Sequence, residues 1–173
     1  VPFVRIKSDD PITVTRNQQV TITSESCYNG RETLKFLWKP LNSSLESFFT
    51  VASLSRQLLF IDSFVFPTSG NYFFQLKVWV SSDASLYSTT TATVLVKSSL
   101  PVAVIGGGNR DVSTFNTLTI DGSTSNDPDK MNIPLTYMWS CSGACPIDFN
   151  PGNVEKFSIA PILLQTGQFA VSL

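Results

Sequence analysis

The sequence of 173 residues contains no histidine and only three cysteines. Histidine is the commonest general base and the commonest metal ligand, so neither a Ser-His-Asp nor a Cys-His catalytic arrangement can be built from this chain alone. Three cysteines with a few carboxylates form a poor ligand set for zinc. These absences disfavour catalysis, and we predict no catalytic residues.

Charge and long apolar runs are also scarce. Charged residues make up 14% of the chain and the net charge is −1, against about a quarter charged in a typical soluble domain. Without a basic cluster, a nucleic-acid partner is not expected. No apolar run approaches about 18 residues, so no membrane span is predicted. The chain opens at Val1 with a strand-like segment and no signal peptide, which predicts a piece excised from a larger protein.

What is present favours many short strands. Nine glycines and ten prolines separate runs rich in Val, Ile, Phe, Thr and Leu, as in all-β domains. The 45–59 stretch has scattered apolar residues but no convincing helical period. Strands are predicted at 20–24, 33–39, 57–61, 71–80 and 91–97.

The chain repeats itself with a period of about 99 residues, the size of an immunoglobulin-like sandwich. The repeat predicts two tandem β-sandwich domains at residues 1–98 and 99–173, with the boundary near KSSLP. Four pairs of motifs occur in the same order: VPFVRI with LPVAVI, VTITSES with LTIDGSTS, LKFLWK with LTYMWS, and PTSGNYFFQL with LQTGQFAVSL.

The second repeat stops at Leu173, the counterpart of Leu76 in the first repeat. The first repeat continues from there through residues 77–97, which supply the rest of one strand and a whole further strand. We therefore expect the second domain to lack its last strand and to expose a sheet edge. Continuation of the chain is the favoured explanation, and donation of a strand by another chain is the alternative.

The segment from Thr117 to Cys141 resembles the PKD-type repeat and the related REJ (receptor for egg jelly) module. A second shared element, Gly-x-aromatic-x-x-x-Leu, occurs at 70–76 and again at 167–173. The first domain lacks the Asp-Pro-Asp turn, and the cysteine after the tryptophan resembles the REJ version. The matching residues are Gly122, Ser123, Ser125, Asp127, Pro128, Asp129, Leu135, Tyr137, Trp139 and Cys141.

The resemblance implies immunoglobulin-like, fibronectin-like modules in the extracellular part of a large polycystin-1-like surface protein, in some cases ciliary. It implies a non-catalytic stalk, adhesion or assembly role, with protein modules of the same or neighbouring chains as partners. The alternative is an accessory module of a secreted hydrolase that binds a polymer or a protein. Transmembrane helices downstream would favour the first hypothesis, and an adjoining catalytic domain would favour the second.

Asp121, Asp127 and Asp129 form an acidic cluster with two interpretations. Several carboxylates at close range suit Ca²⁺, and the resemblance allows a calcium site because some PKD-type modules bind calcium near this turn. The other interpretation is structural, because Asp side chains hydrogen-bond to nearby backbone and Pro128 fixes φ. The structural interpretation is favoured and calcium, the one candidate cofactor, is the alternative.

The cysteines and one sequon predict modifications. Cys141 and Cys145 are four residues apart with Gly143 between them, so a tight loop can bring them within disulfide range. Cys27 is left over, either as a free, partly buried thiol or as one paired outside this chain. Asn42 begins the single Asn-Ser-Ser sequon and is a predicted glycosylation site.

The three tryptophans fall into two groups. Trp38 and Trp139 lie mid-strand between alternating apolar residues and are predicted to be core residues. Trp79 shares a face with Lys77, opposite the face of Val78 and its apolar neighbours. It is therefore predicted to point outward as an interdomain or intermolecular contact.

Overall fold

A computed structural model describes every residue from Val1 to Leu173. The fold is all-β and immunoglobulin-like, as the sequence predicts, with its strands gathered in several small sheets. The contacts divide the chain into two compact units, Val1–Ser99 and Leu100–Leu173.

The strands of the first unit are β1 (Phe3–Ile6), β2 (Ile12–Thr15), β3 (Val20–Ile22), β4 (Ser24–Cys27), β5 (Leu34–Pro40), β6 (Leu59–Ile61), β7 (Gly70–Val80) and β8 (Asp83–Lys97). The strands of the second unit are β9 (Leu118–Asp121), β10 (Ser140–Gly143), β11 (Lys156–Ile159) and β12 (Phe169–Ser172).

A four-stranded sheet in the order β2-β8-β7-β5 dominates the first unit. β7 and β8 are antiparallel neighbours, whereas β2 pairs with β8 in parallel. Along β7 every second side chain is buried, because alternate residues of a strand face opposite sides of the sheet. The β1-β4 and β3-β6 pairs complete this unit.

The first core is large and well covered. Its fully buried members include the side chains of β7 and β8 that face the same side of the sheet. They pack with Trp38, which is 1% exposed. The buried residues are Val20, Ile22, Trp38, Leu45, Leu59, Ile61, Phe66, Tyr72, Phe74, Leu76, Val78, Ala92, Val94 and Val96.

Helical structure is confined to short segments. A 3-10 helix spans Ser43–Phe48, a four-residue helix α1 spans Val51–Leu54, and a second 3-10 turn spans Pro161–Leu163. Thr50 caps α1 in a capping box with Ser53. Neither 3-10 segment nor α1 has the length and apolar character of a membrane-crossing helix.

The second unit consists of two strand pairs, β9 with β11 and β10 with β12. Its buried core contains Leu118, Ile120, Ile159 and Leu164. The prediction that Trp139 lies mid-strand is wrong, because β10 begins one residue later. The backbone amide of Tyr137 donates to the Asn153 side-chain oxygen at 2.7 Å, so a side chain takes the place of a neighbouring strand.

The two units nevertheless pair their strands in the same register. Residues at matching positions of the two repeats face matching cross-strand partners, and this holds for two separate pairs of strands. Between β3 and β6 Val20 faces Ile61, and between β9 and β11 Leu118 faces Ile159. Between β5 and β7 Lys39 faces Gln75, and between β10 and β12 Ser140 faces Ser172.

Each unit has a glycine with positive φ at the same position of the repeat, at or shortly before the start of β7 and of β12. φ is 145° at Gly70 and 138° at Gly167. Side chains with a Cβ rarely adopt this backbone conformation, which explains why both repeats place glycine there.

Candidate functional site

The acidic motif starts at the end of β9, where Asp121 makes two interactions. One carboxylate oxygen accepts the backbone N–H of Ser123 at 2.9 Å. The other lies 2.9 Å from the Nζ atom of Lys156, the facing residue of β11. Hydrogen bonds from Ser123, first from its side chain and then from its backbone, together with Lys156, hold the pKa of Asp121 well below its usual range.

Asp127 closes the next turn. Its Oδ1 accepts the backbone N–H of Asp129 at 2.9 Å and its Oδ2 accepts that of Met131 at 3.1 Å. Its carbonyl also accepts the backbone N–H of Lys130, whose φ is +51°. One carboxylate thus satisfies two donors of a tight turn that includes a left-handed residue, while the side chain of Asp129 is buried.

The three carboxylates do not come together as one ligand group. No three His, Cys, Asp or Glu side chains of the chain form a group able to hold a metal ion. The bonds of Asp121 and Asp127 follow the turn interpretation of the sequence. Calcium binding by Asp121, Asp127 and Asp129 stays a prediction.

Trp139 packs directly on the start of the motif. Its indole Nε1 donates to the Val154 carbonyl at 2.7 Å, and its ring meets that of Phe157 edge-on at 5.0 Å. A Cβ on Gly122 would lie 3.0 Å from this indole ring. Because Gly122 has no side chain, the indole ring of Trp139 can pack against the backbone at this position.

The same anchor exists in the first unit. The Nε1 of Trp38 donates to the Arg56 carbonyl at 3.0 Å. Arg56 and Val154 occupy matching places before β6 and β11, so the register of the repeat gives one carbonyl acceptor once the other is known. The sequence predicted core positions for both tryptophans, but Trp139 is half-buried whereas Trp38 is buried.

The disulfide predicted from sequence is present. Cys141 and Cys145 are bonded, with their Cα atoms 6.0 Å apart, and the bond closes the loop at the end of β10. The thiol of Cys27 is free, but the prediction that it is partly buried is wrong, because Cys27 lies exposed at the end of β4.

Asn42 lies directly before the first 3-10 helix. Its Oδ1 accepts the backbone N–H of Phe73 at 3.0 Å, so the side chain already has a fixed orientation. Glycosylation of Asn42 stays a prediction.

Trp79 lies on the outer face of the four-stranded sheet, as predicted, opposite the buried Val78. It is half-buried beside Tyr87, its partner on β8. The Lys77 Nζ atom lies 4.3 Å from the Tyr87 ring centre and 5.9 Å from that of Trp79, within the range of cation–π attraction. We call Lys77, Trp79 and Tyr87 the aromatic cluster. A contact role for Trp79 stays a prediction.

The fold and these turns define an immunoglobulin-like module whose acidic motif and tryptophan anchors support the structure. The chain belongs to the REJ domain family, whose profile matches residues 13–162. This confirms the REJ resemblance, and the match includes residues of both compact units. The PKD-type resemblance stays a prediction.

Two relatives are similar over most of the chain. The chain is 31% identical over 147 residues to "Polycystin-1-like protein 1" of Oryzias latipes, covering 81% of the chain and 5% of that protein. It is 26% identical over 130 residues to "Polycystin-1-like protein 1" of Mus musculus, covering 72% of the chain and 5% of that protein. The chain therefore spans about one-twentieth of the length of these relatives.

Among solved structures, a mixed-linkage glucan utilisation protein of Bacteroides ovatus, SGBP-B, is similar with a TM-score of 0.31 and 12% identity. The likeness covers 97% of this chain and 42% of that one. At this level it bears on neither the function nor the ligands of the chain.

Proposed function

We propose that the chain is a non-catalytic extracellular stalk and assembly module of a large polycystin-1-like surface protein. The observation that carries the proposal is the REJ match over residues 13–162, together with similarity to polycystin-1-like proteins over most of the chain. The REJ family is a family of non-catalytic modules. The Cys141–Cys145 bond supports an oxidising, extracellular setting, because such bonds persist there and are rare in the cytosol.

The aromatic cluster supports an assembly role. Trp79 and Tyr87 present partly exposed aromatic surface beside the cation of Lys77, on a sheet whose opposite face forms the core. Aromatic residues are enriched among the side chains that dominate protein interfaces. We propose that this face contacts other protein modules of the same or neighbouring chains.

Secretion tests the extracellular part of the proposal. The chain is placed behind a secretion signal in cultured animal cells, and the product in the medium is mapped as non-reduced peptides by mass spectrometry. We expect a Cys141–Cys145 cross-link and a glycan at Asn42. Retention inside the cell with both thiols reduced would contradict the proposed setting.

A bead assay tests the assembly part. Beads coated with the secreted chain are mixed with beads coated with the same chain and with cells displaying the polycystin-1-like protein. We expect Trp79→Ser to lower capture at least tenfold. Phe73→Ser is the matched control, because Phe73 is an exposed aromatic residue on the same strand and face but outside the cluster. Equal capture by both variants would refute the contact role of Trp79.

A further inference from the structure

A groove of about 720 Å³ runs along the second unit. One wall is the segment 105–112, the other is the segment 167–171, which includes most of β12, and the floor includes the core residues Leu118 and Ile120. Its lining thus combines the edge of β12, two core residues and a polar wall that includes Asn109, Arg110 and Asp111.

The β12 wall presents backbone hydrogen-bonding groups to the groove. β12 pairs with β10 on one side and with no strand on the other. The backbone N–H of Ala144 donates to the Gln168 carbonyl at 2.9 Å, so residue 168 and every second residue after it face β10. Because hydrogen-bonding direction alternates along an antiparallel strand, the backbone groups of Phe169 and Val171 point to the other side.

The first unit shows which element belongs there. β7 is the counterpart of β12, and β8 occupies its second edge. There Tyr72, the counterpart of Phe169, faces Val94, and Phe74, the counterpart of Val171, faces Ala92.

The opposite wall also has its counterpart. In the first unit β2 pairs in parallel with the other edge of β8, with Ile12 facing Val94. The repeat places residues 110–113 at the position of β2, with Val112 matching Val14, and Arg110, Asp111 and Val112 lie in the groove wall without forming a strand. Both neighbours of β8 thus have equivalents in the second unit, one on each side of the groove.

The burial of the side chains agrees with this assignment. Tyr72 and Phe74 are 5% and 0% exposed, whereas Phe169 and Val171 are only half-buried. An added strand carrying apolar side chains on its inner face would remove the two half-buried residues from water, which is favourable.

We propose that the groove accepts one extended segment of polypeptide as an added β-strand, antiparallel to β12 and parallel to residues 110–113. The segment carries small or β-branched apolar residues at every second position, as β8 does with Ala92, Val94 and Val96. Its apolar residues lie opposite Gly167, Phe169 and Val171. Backbone hydrogen bonds provide affinity and the alternating side chains provide selectivity.

The occupant belongs to the same protein as the module, and this part of the inference rests on the proposed function. In the first unit the equivalent strand is supplied by the same polypeptide through a tight connection from Val80 to Asp83. A segment in the same chain acts at an effective concentration of about millimolar, which favours it over a separate molecule.

The test gives the chain a tethered donor. A second copy of residues 77–97 is added directly after Leu173, the position that matches Leu76. The matched control carries the same extension with Val94→Asp and Val96→Asp in the added copy. We expect amide hydrogen exchange at Phe169, at Val171 and across residues 110–113 to slow at least a hundredfold with the first extension and not with the second.

Val171→Pro tests the acceptor side. The N–H that proline removes at this position points into the groove, so the β10-β12 ladder keeps its hydrogen bonds. We expect this variant to abolish the added protection at residues 110–113 while Ser142 and Ala170 stay protected.

Equal exchange with both extensions would overturn the inference, and so would protection that Val171→Pro leaves unchanged. Protection found only in dimers, detected by light scattering, would also overturn it, because the strand would then come from another molecule. Secretion and bead capture by the original chain do not depend on the added strand. Failure of the groove proposal is therefore distinguishable from failure of the proposed function.

Discussion

The two units share strand register and a tryptophan anchor, but they differ in how completely their cores are covered. Trp38 is 1% exposed, whereas its counterpart Trp139 is half-buried. In the first unit β8 adds Ala92, Val94 and Val96 to the core, and no strand does so in the second. The comparison indicates that local pattern sets the register, while burial depends on a covering strand.

The largest effect is expected from removing the two tryptophans. Trp38→Ala should destabilise the first unit by about 4 kcal/mol, because a fully buried aromatic side chain leaves a cavity. Trp139→Ala should cost the second unit about half as much, ~2 kcal/mol, since part of its ring already contacts water. Amide hydrogen exchange in β7 and in β12 measures the stability of each unit. Equal costs would show that the second core is as well covered as the first.

The next largest effect concerns the disulfide. The second unit has one, whereas the first unit has only the free Cys27. Cys141→Ser combined with Cys145→Ser should cost the second unit about 2 kcal/mol, a small value because the closed loop is short. Hydrogen exchange in the first unit should not change. Cys27→Ser is the control, and destabilisation of β12 by that variant would contradict the assignment.

A smaller effect tests the acidic turn, which the first unit lacks. Asp127→Ala should destabilise the second unit by about 1–2 kcal/mol, because two backbone N–H groups lose their acceptor. Asp127→Asn keeps one acceptor oxygen and should cost less. Thermal unfolding measures both variants.

The same variants test calcium. Calorimetry and thermal unfolding in millimolar calcium distinguish a turn from a metal site. The turn interpretation predicts no heat of binding and no stabilisation. Calcium-dependent stabilisation of the original chain that Asp127→Asn abolishes would instead establish the ion site at Asp121, Asp127 and Asp129.

The smallest effect concerns pH. The folded pKa of Asp121 lies below its unfolded value of about 3.9, so the ionised form stabilises the second unit above that pH. This stability is lost as pH falls through the folded pKa. Asp121→Asn should make the protection factor of the β9 amides, which corrects the exchange rate for its intrinsic pH dependence, less dependent on pH between about 5 and 2. Its counterpart in the first unit, Thr23, carries no charge, so β3 provides the internal comparison. An unchanged pH profile in β9 would show that Ser123 and Lys156 do not act on this carboxylate.

Local patterns predicted much of the first unit. Alternating apolar residues at 71–80 and 91–97 identified β7 and the end of β8, because burial on one face requires a period of two. The start of β8 at Asp83 was missed. Residues 83–88 are mostly exposed, so their strand conformation depends on pairing with β7 rather than on burial.

The candidate site was predicted unevenly for similar reasons. The disulfide follows from short sequence spacing, and the hydrogen bonds of Asp127 join residues close in sequence. The Lys156 partner of Asp121 and the Val154 partner of Trp139 are distant in sequence and depend on β9 and β11 lying side by side. No local signal identifies such partners.

The repeat, the all-β class and the positions of the turns follow from local sequence patterns, because these features depend on side-chain alternation and on residues with special backbone preferences. The tertiary structure decided the parallel pairing of β2 with β8, the half-burial of Trp139 and the groove beside β12. Each of these depends on which strands become neighbours. Packing between segments far apart in the chain selects these neighbours. Because the hydrophobic effect is non-directional, a short sequence pattern does not specify which strands pack together.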